Sequence, residues 1–279
     1  MLTLINIELY KIFKKWRTYI GFMAIGVLVP VIQIAILIEG KDTINFMTRD
    51  LQQSFIFVGN LLNGYLISYF ILNSLTIHIP FLIALVAGDL LAGEATSGTY
   101  RILITRPVSR MKLLASKFFA GIIYTCLLIL WLALMSMVLG IIIFGIGELI
   151  VLKSTMVIIF AKNDILWRFL GAYGFAALSM SVVASLAFLF SSLVENAIGP
   201  IVSTMAVIIV FIIISAIDIN IFDKIRPFLF TTYMNSWRLI FDDPVNISEI
   251  IKSVGVLLGH IIVFTGLTAI IFRRKDILS

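Results

Sequence analysis

The stretch Gly93–Lys117, GEATSGTYRILITRPVSRMKLLASK, carries five cations and lies between two of the most apolar segments of a very apolar chain. Its surroundings decide the class of fold. Of 279 residues, 61% are hydrophobic and only 13% charged, and the mean hydropathy is +1.12. A water-soluble domain of this length needs far more polar surface, whereas a chain solvated by lipid keeps apolar side chains on its outside. The net charge of +6 suits nucleic acid only on a soluble fold with a basic face, so no nucleic-acid partner is expected.

Outward from the stretch, six segments lack charge and reach the roughly 20 residues needed to cross a hydrocarbon core of about 30 Å. They are Thr18–Ile38, Tyr65–Ala87, Phe118–Ile143, Phe169–Leu193, Ile198–Ile217 and Ser253–Phe272. Backbone N–H and C=O groups find no water at that depth, and no strand-like alternation is visible, so all six are expected to be helices. The expected fold is an all-α polytopic membrane protein with six transmembrane helices, formed by residues 1–279 as one domain. The uncharged run Leu51–Gly88 holds 38 residues, about 57 Å as a single helix. Its first part, LQQSFIFVGNLLNG, is therefore expected to be an interfacial or re-entrant piece outside the core.

Basic loops are retained on the cytoplasmic side. The N-terminus (Lys11, Lys14, Lys15, Arg17), the quoted stretch and the C-terminus (Arg273, Arg274, Lys275) fall on one side of a six-span plan. That side holds twelve cations against five acids, and the other nine against ten. Both termini are thus expected in the cytoplasm of a multi-pass protein of the cell's inner (plasma) membrane. Topology alone can explain a basic loop.

The order of residues within the stretch asks for more. Glu94–Gly98 supplies small and polar residues that end the second span, and SGTYRILITRP offers a short helix stopped by Pro107. At helical spacing Tyr100, Leu103, Ile104 and Pro107 can share a face, with Arg101 and Thr105 elsewhere. Ser109 is placed to cap a helix beginning RMKLLASKF and running into the third span. The result is a short surface helix bracketed by two spans that feel any push on it.

The pattern Glu94-x-x-x-Gly98-Thr99-x-Arg101-x-Leu103-x-x-x-Pro107-x-Ser109-Arg110, ending in Lys117, resembles the loop after the second span in bacterial ATP-binding cassette permeases of type two, an exporter-like family. The likeness extends in outline to the basic amphipathic start IELYKIFKKWR, an interfacial helix in that family, to the six spans, and to a partly apolar loop before the last one. It implies that two such chains, identical or different, form the translocation path and that each docks a separate cytoplasmic ATPase subunit. By that resemblance Gly98–Arg106 is a cytoplasmic coupling helix between the second and third spans. The ATPase-coupling residues are then Glu94, Gly98, Thr99, Arg101, Leu103, Ile104, Arg106, Pro107 and Arg110.

The energy source can be examined independently. A self-contained ATPase needs a phosphate-cradling G-x-x-x-x-G-K-[ST] loop, which the chain lacks. Its one Gly-Lys pair, Gly40-Lys41, is followed by Asp42 and is expected in an external loop. An ion-coupled transporter usually carries an ionisable group near the bilayer centre. All six segments lack Asp, Glu, Lys and Arg, although His78 and His260 lie inside the second and sixth. Each histidine reads either as a proton site or as a neutral group hydrogen-bonded in helix packing. ATP hydrolysis is expected in another polypeptide, with no catalytic, cofactor or metal site here.

In the second span Tyr69, Asn73 and Thr76 share a helical face. That stripe can line a path or bond to a neighbouring helix. The resemblance implies that the second span borders the path together with the first and fifth, which makes Tyr69, Asn73, Thr76, Ser203 and Thr204 pore candidates. Pro30 and Pro80 should kink the first two spans, whereas Pro200 sits at the start of the fifth. Small residues in GAYGFAALSMSVVASLAF and at Gly255-x-x-x-Gly259 allow close helix approach, within the chain or between chains. In Asp218–Glu249 the aromatic rings of Phe228, Phe230, Tyr233 and Trp237 suit the headgroup zone. The resemblance implies short re-entrant helices there, and a loop resting on the headgroups is the alternative. Cys126, the one cysteine, excludes an intrachain disulfide and is expected to pack inside the third span. The basic N-terminus leads into an apolar run longer than a signal peptide's, so the first span is expected to be retained. Membrane lipid is the remaining partner. An exporter permease leads the functional readings, ahead of an ion-coupled secondary transporter or channel and of an intramembrane enzyme.

Overall fold

The computed structural model describes residues 1–52, 61–75, 77–98, 108–153, 156–217 and 219–274, with 41–52 and 75 as backbone only. Helix α1 (Leu2–Lys14) leads after a short break into α2 (Trp16–Gln52). Then come α3 (Gly64–Leu75), α4 (Ile79–Ala87), α5 (Asp89–Thr96) and α6 (Arg110–Ala133), which passes through a π-helical turn, Leu134–Val138, into α7 (Leu139–Phe144). A hairpin of β1 (Leu149–Leu152) and β2 (Val157–Phe160) precedes α8 (Lys162–Leu193) and α9 (Ile198–Ala216). Short turns follow: α10 (Asn220–Asp223), a 3-10 turn Arg226–Phe228, α11 (Phe230–Met234) and a 3-10 turn Ser236–Phe241. Helix α12 (Ile247–Arg274) closes the chain. Among the described residues five helices are long and apolar enough to cross a membrane, and α3 with α4 makes a sixth if the bent pair is one span.

Helix α8 is the axis of the bundle. Its small residues, including Ala172, Ala176, Ser179, Ala184 and Ala187, are buried on several sides, so α4, α6, α9 and α12 all pack against it. A helix apolar all round and enclosed by others is a core helix. Helices α3 and α7 approach closely at Gly64, where an added Cβ would meet the Ile141 backbone nitrogen at 2.5 Å. Gly255 and Gly259 differ: nothing lies within 4 Å of a Cβ at either, so their small faces serve no packing inside the described chain.

Several expectations need correction. The fold is mostly helical, but the antiparallel β1–β2 pair, in register from Leu149↔Phe160 to Leu152↔Val157, is a strand element that an all-α reading omits. The second span is not one helix: α3 and α4 meet at 57°. Pro80, in the first turn of α4, has no N–H to donate and its ring blocks continuation from the preceding turn. Pro30 leaves α2 unbroken, and α2 continues for 37 residues, about 55 Å. Gly40-Lys41 therefore belongs to a helix and not to a loop. Residues 53–60 of the expected re-entrant piece lie outside the described residues. Cys126 is exposed on the outside of α6.

The segment before α12 is packed into the bundle and does not rest on its surface. Phe230, Trp237 and Phe241 are buried, Tyr233 nearly so, and of the four aromatics assigned to the headgroup zone only Phe228 is exposed. Arg168 of α8 fastens this segment. Its guanidinium donates to Ile240 O at 2.7 Å and Asp242 O at 2.9 Å, pairs with Asp164, and lies 4.2 Å over the Phe160 ring of β2. Lys153, just after β1, pairs with Asp242. Hairpin and segment thus form one cap at this end of the bundle.

Candidate functional site

At the opposite end lies α5, whose last turn opens the stretch Gly93–Lys117. Its N-cap, Gly88, has no side chain to accept from the first free amides of the helix. Ser191 near the end of α8 takes that role from another span. Its hydroxyl accepts from Leu91 N at 3.1 Å and Ala92 N at 2.9 Å and donates to Gly88 O at 2.5 Å. The other end of α5 is held by Thr96, whose hydroxyl lies 2.9 Å from Ala92 O and 2.5 Å from Glu195 O. Gly98 then adopts φ +67°, the left-handed conformation that ends helices and favours glycine.

Buried charges converge on this strut. Lys117 on α6, only 1% exposed, lies 2.7 Å from Glu8 Oε2 on α1 and 2.6 Å from Glu94 Oε1 on α5. Lys11 completes the ring at 2.7 Å from Glu8 Oε1 and 3.1 Å from Glu94 Oε1. One turn earlier on α5, Asp89 takes Lys15 at 2.7 Å and Arg17 at 3.2 Å. Withdrawing such groups from water is costly unless each finds an opposite charge, and here the contacts supply one. Burial by itself pushes the Glu8 carboxyl up, but Lys117 and Lys11 outweigh it and hold the group below its ordinary range. Burial likewise pulls Lys11 down, and Glu8 with Glu94 raises it above the ordinary lysine value. Chemically the cluster is a fastener: it ties α1, the start of α2, α5 and the base of α6 into one unit around residues 93–117.

Glu94 stands at the centre of this network, and Gly98 at the turn that leaves it. Arg110 is the exposed first residue of α6, whose N-cap is Ser109 accepting from Lys112 N, as the sequence predicts. The coupling residues Thr99, Arg101, Leu103, Ile104, Arg106 and Pro107 lie outside the described residues, as does Thr76. Of the pore candidates, Tyr69 packs edge-on against Trp237 and Phe241, with ring centroids 5.5 and 5.2 Å away. Asn73 accepts from Arg238, so this part of the stripe bonds to a neighbouring segment. Ser203 is half-buried, and Thr204 is buried, donating to Pro200 O in its own helix. His78 sits in the exposed break between α3 and α4 and not inside a continuous span. His260 has Val256 O at 2.8 Å and Phe228 O at 3.1 Å from its two ring nitrogens, which places it between α12 and the capping segment.

Sequence reasoning passed over Glu8, Asp89 and Ser191. Glu8 reads as the polar side of an amphipathic helix, and a serine in a small-residue span reads as packing. The one available signal was that Glu8 and Lys11 are three apart on α1, and so share a face, in a chain with few charges. A second polar knot was also missed. Gln33 of α2 donates to Met135 O and Ser136 O in the π-helical turn at 3.2 and 3.1 Å. The Ser68 hydroxyl lies 3.0 Å from the same Ser136 O, and the Ser136 hydroxyl 2.6 Å from Tyr173 Oη on α8. A π turn frees carbonyls from the helical ladder, and neighbouring spans take them up. Among the described residues, no group of three or more His, Cys, Asp or Glu is placed to hold a metal ion.

Among curated proteins, the chain is similar to the uncharacterized protein YhcI of Bacillus subtilis (strain 168), 25% identical over 227 residues that cover 77% of this chain and 70% of that protein. Residues 25–278 match the family described as "Protein of unknown function (DUF2705)", and over so much of its length the chain belongs to that family.

Proposed function

We propose that the chain is the membrane-spanning permease subunit of an ATP-driven ABC transporter, an exporter whose translocation path is formed by two such chains. It hydrolyses no ATP itself, and a separate cytoplasmic ATPase subunit docks on residues 98–106. Both termini face the cytoplasm of the plasma membrane, with α1 along its inner surface. The observation that carries this reading is the fastening of both flanks of the docking stretch. Glu94 before it and Lys117 after it meet each other and α1 in a buried ion cluster, while α5 is capped from α8. A surface segment meant only to set topology needs no such foundation. Force applied at 98–106 reaches three apolar helices through short, rigid contacts.

The alternative, an ion-coupled secondary transporter or channel, draws on the two histidines. His78 lies in the exposed break between α3 and α4, outside any continuous helix, which supports the first reading over the second. The test is purification of tagged protein in mild detergent from its native cells, with mass spectrometry of what stays bound. A stoichiometric P-loop subunit, lost in a folded Leu103→Asp or Ile104→Asp variant, is the expected result. An intact preparation that brings down no ATPase would overturn it.

A further inference from the structure

Beside the ion cluster lies a cavity of about 630 Å³ between α1, the start of α2, the α4–α5 junction and the base of α6. Its lining combines two chemistries. Five cations and three carboxylates face it, and the carboxylates Glu8, Glu94 and Asp89 are matched within the cluster. The outer rim holds Lys14, Lys15 and Arg17 against Asp89 alone, and Lys14 forms no ion pair among the described residues. The remaining wall is apolar, with Ile7 of α1, Leu85 of α4 and Leu113 of α6 among its residues. The cavity also sits where the chain passes from α1 into its first long apolar helix. Trp16 and Tyr19 are exposed there, their rings tilted with centroids 6.5 Å apart, and exposed aromatic rings of this kind suit a membrane–water interface.

We propose that this cavity binds an anionic membrane phospholipid, its phosphate taken by Lys14, Lys15 and Arg17 and an acyl chain laid against the apolar wall. A free phosphate fits the cations but leaves the apolar wall wet, and a zwitterionic lipid fits the wall but leaves the rim's excess positive charge uncompensated. An anionic lipid satisfies both. Basic pockets between helices at the inner membrane surface take such headgroups, and each surface cation contributes enough for roughly a fivefold change in affinity. Because Lys15 and Arg17 also hold Asp89 on α5, the lipid would bear on the strut next to the docking stretch. The inference rests on the reading of the chain as a membrane protein and not on the ATPase partner, so the two can fail separately.

The experiment is native mass spectrometry and thermal unfolding of the full chain in detergent, titrated with phosphatidylglycerol, with phosphatidylcholine of the same acyl chains, and with inorganic phosphate. Phosphatidylglycerol is expected to bind at least tenfold more tightly than phosphatidylcholine and to raise the unfolding midpoint, and phosphate alone is expected to do neither. Lys14→Gln, an exposed change that leaves the ion cluster intact, should weaken phosphatidylglycerol roughly fivefold. Lys252→Gln at the other end of the bundle should leave binding unchanged. Equal binding of the two lipids, or loss of preference equal in the two variants, overturns the site. A midpoint shift by phosphate matching that by phosphatidylglycerol would make it a free-anion site and overturn the lipid assignment.

Discussion

Lys117→Met removes the cation that two buried carboxylates share. Glu8 and Glu94 lie 2.7 and 2.6 Å from its ammonium, and truncation takes this cation from both while leaving the half-exposed Lys11 beside them. Removing one partner of a buried pair costs about 3–5 kcal/mol because the other charge is stranded. The surviving Lys11 contacts argue for the lower end, about 3 kcal/mol. At the roughly 2–4 °C per kcal/mol typical of larger domains, the midpoint should fall by about 6–12 °C. Intrinsic fluorescence of the four tryptophans, scanned in detergent at one fixed rate, reads that shift. The decisive variant is the double change with Glu8→Gln, which removes one stranded charge and should recover part of the loss, so the two costs must not add. A Lys117→Met midpoint within about 1 °C of the parent, or full additivity with Glu8→Gln, would refute the claim that this cluster holds α1, α5 and α6 together.

Two further outcomes follow from the same kind of reasoning. Acid should dissolve the cluster's contribution at a definite point. The folded Glu8 pKa lies below the ordinary 4.5, so its stabilisation is complete above that value and is lost as pH falls through the folded one. The folded Lys11 value lies above 10.5, so that share is complete below 10.5 and lost only as pH rises through the folded value. The midpoint difference between parent and Glu8→Gln should therefore stay level from about pH 5 to 9 and shrink below about pH 4; a difference that changes across neutrality would contradict it. At the other end, Arg168→Met leaves the buried Ile240 carbonyl without its donor, about 1–3 kcal/mol, and also removes the donor from the half-buried Asp242 carbonyl. Limited proteolysis should then cut within 226–242 faster than in the parent, with Arg168→Lys intermediate because an ammonium lacks the planar fork. Equal cleavage in all three would remove the clamp.

The apolar helices were legible because lipid imposes a coarse rule that needs only length and the absence of charge, but their ends were not: α2 continues to Gln52, well past Ile38, and the run Tyr65–Ala87 is divided between α3 and α4. What was not legible depends on groups far apart in sequence. Lys117 and Glu94 stood out in the pattern, but Glu8 lies 109 residues from Lys117, and an acid on an amphipathic helix looks like any solvated face. Ser191 caps α5 from about 100 residues away, and no local spacing reveals a cap borrowed from another span. The hairpin failed for a different reason. LIVL and VIIF are short apolar runs beside a longer one, and periodicity cannot tell a strand of four residues from the end of a helix. Gly145 at φ +75° is what ends α7 and allows the chain to turn into β1. The break at Pro80 was legible, its size was not.

The distribution of charge has a mechanical consequence in the proposed transporter. The interiors of the long helices offer only van der Waals contact and a few hydroxyl and amide bonds, such as those of Gln33 and Ser68 with the π turn. Contacts of that kind let helices shift by small steps at little cost in lipid, since no hydrophobic driving force opposes sliding between apolar faces. The ion cluster differs, because pulling it apart as a whole would leave the buried Lys117, Glu8 and Glu94 without their opposite charges. In that transporter a push on the docking stretch would tilt α5 together with α1 and α6, since separating them would cost the shared ion pairs. Helix α1, paired through Glu8 to Lys117, would then travel with the strut and share in transmitting the push. Asp89 extends the same constraint to the first turn of α2 through Arg17, so in that transporter the start of α2 would be drawn into the same motion.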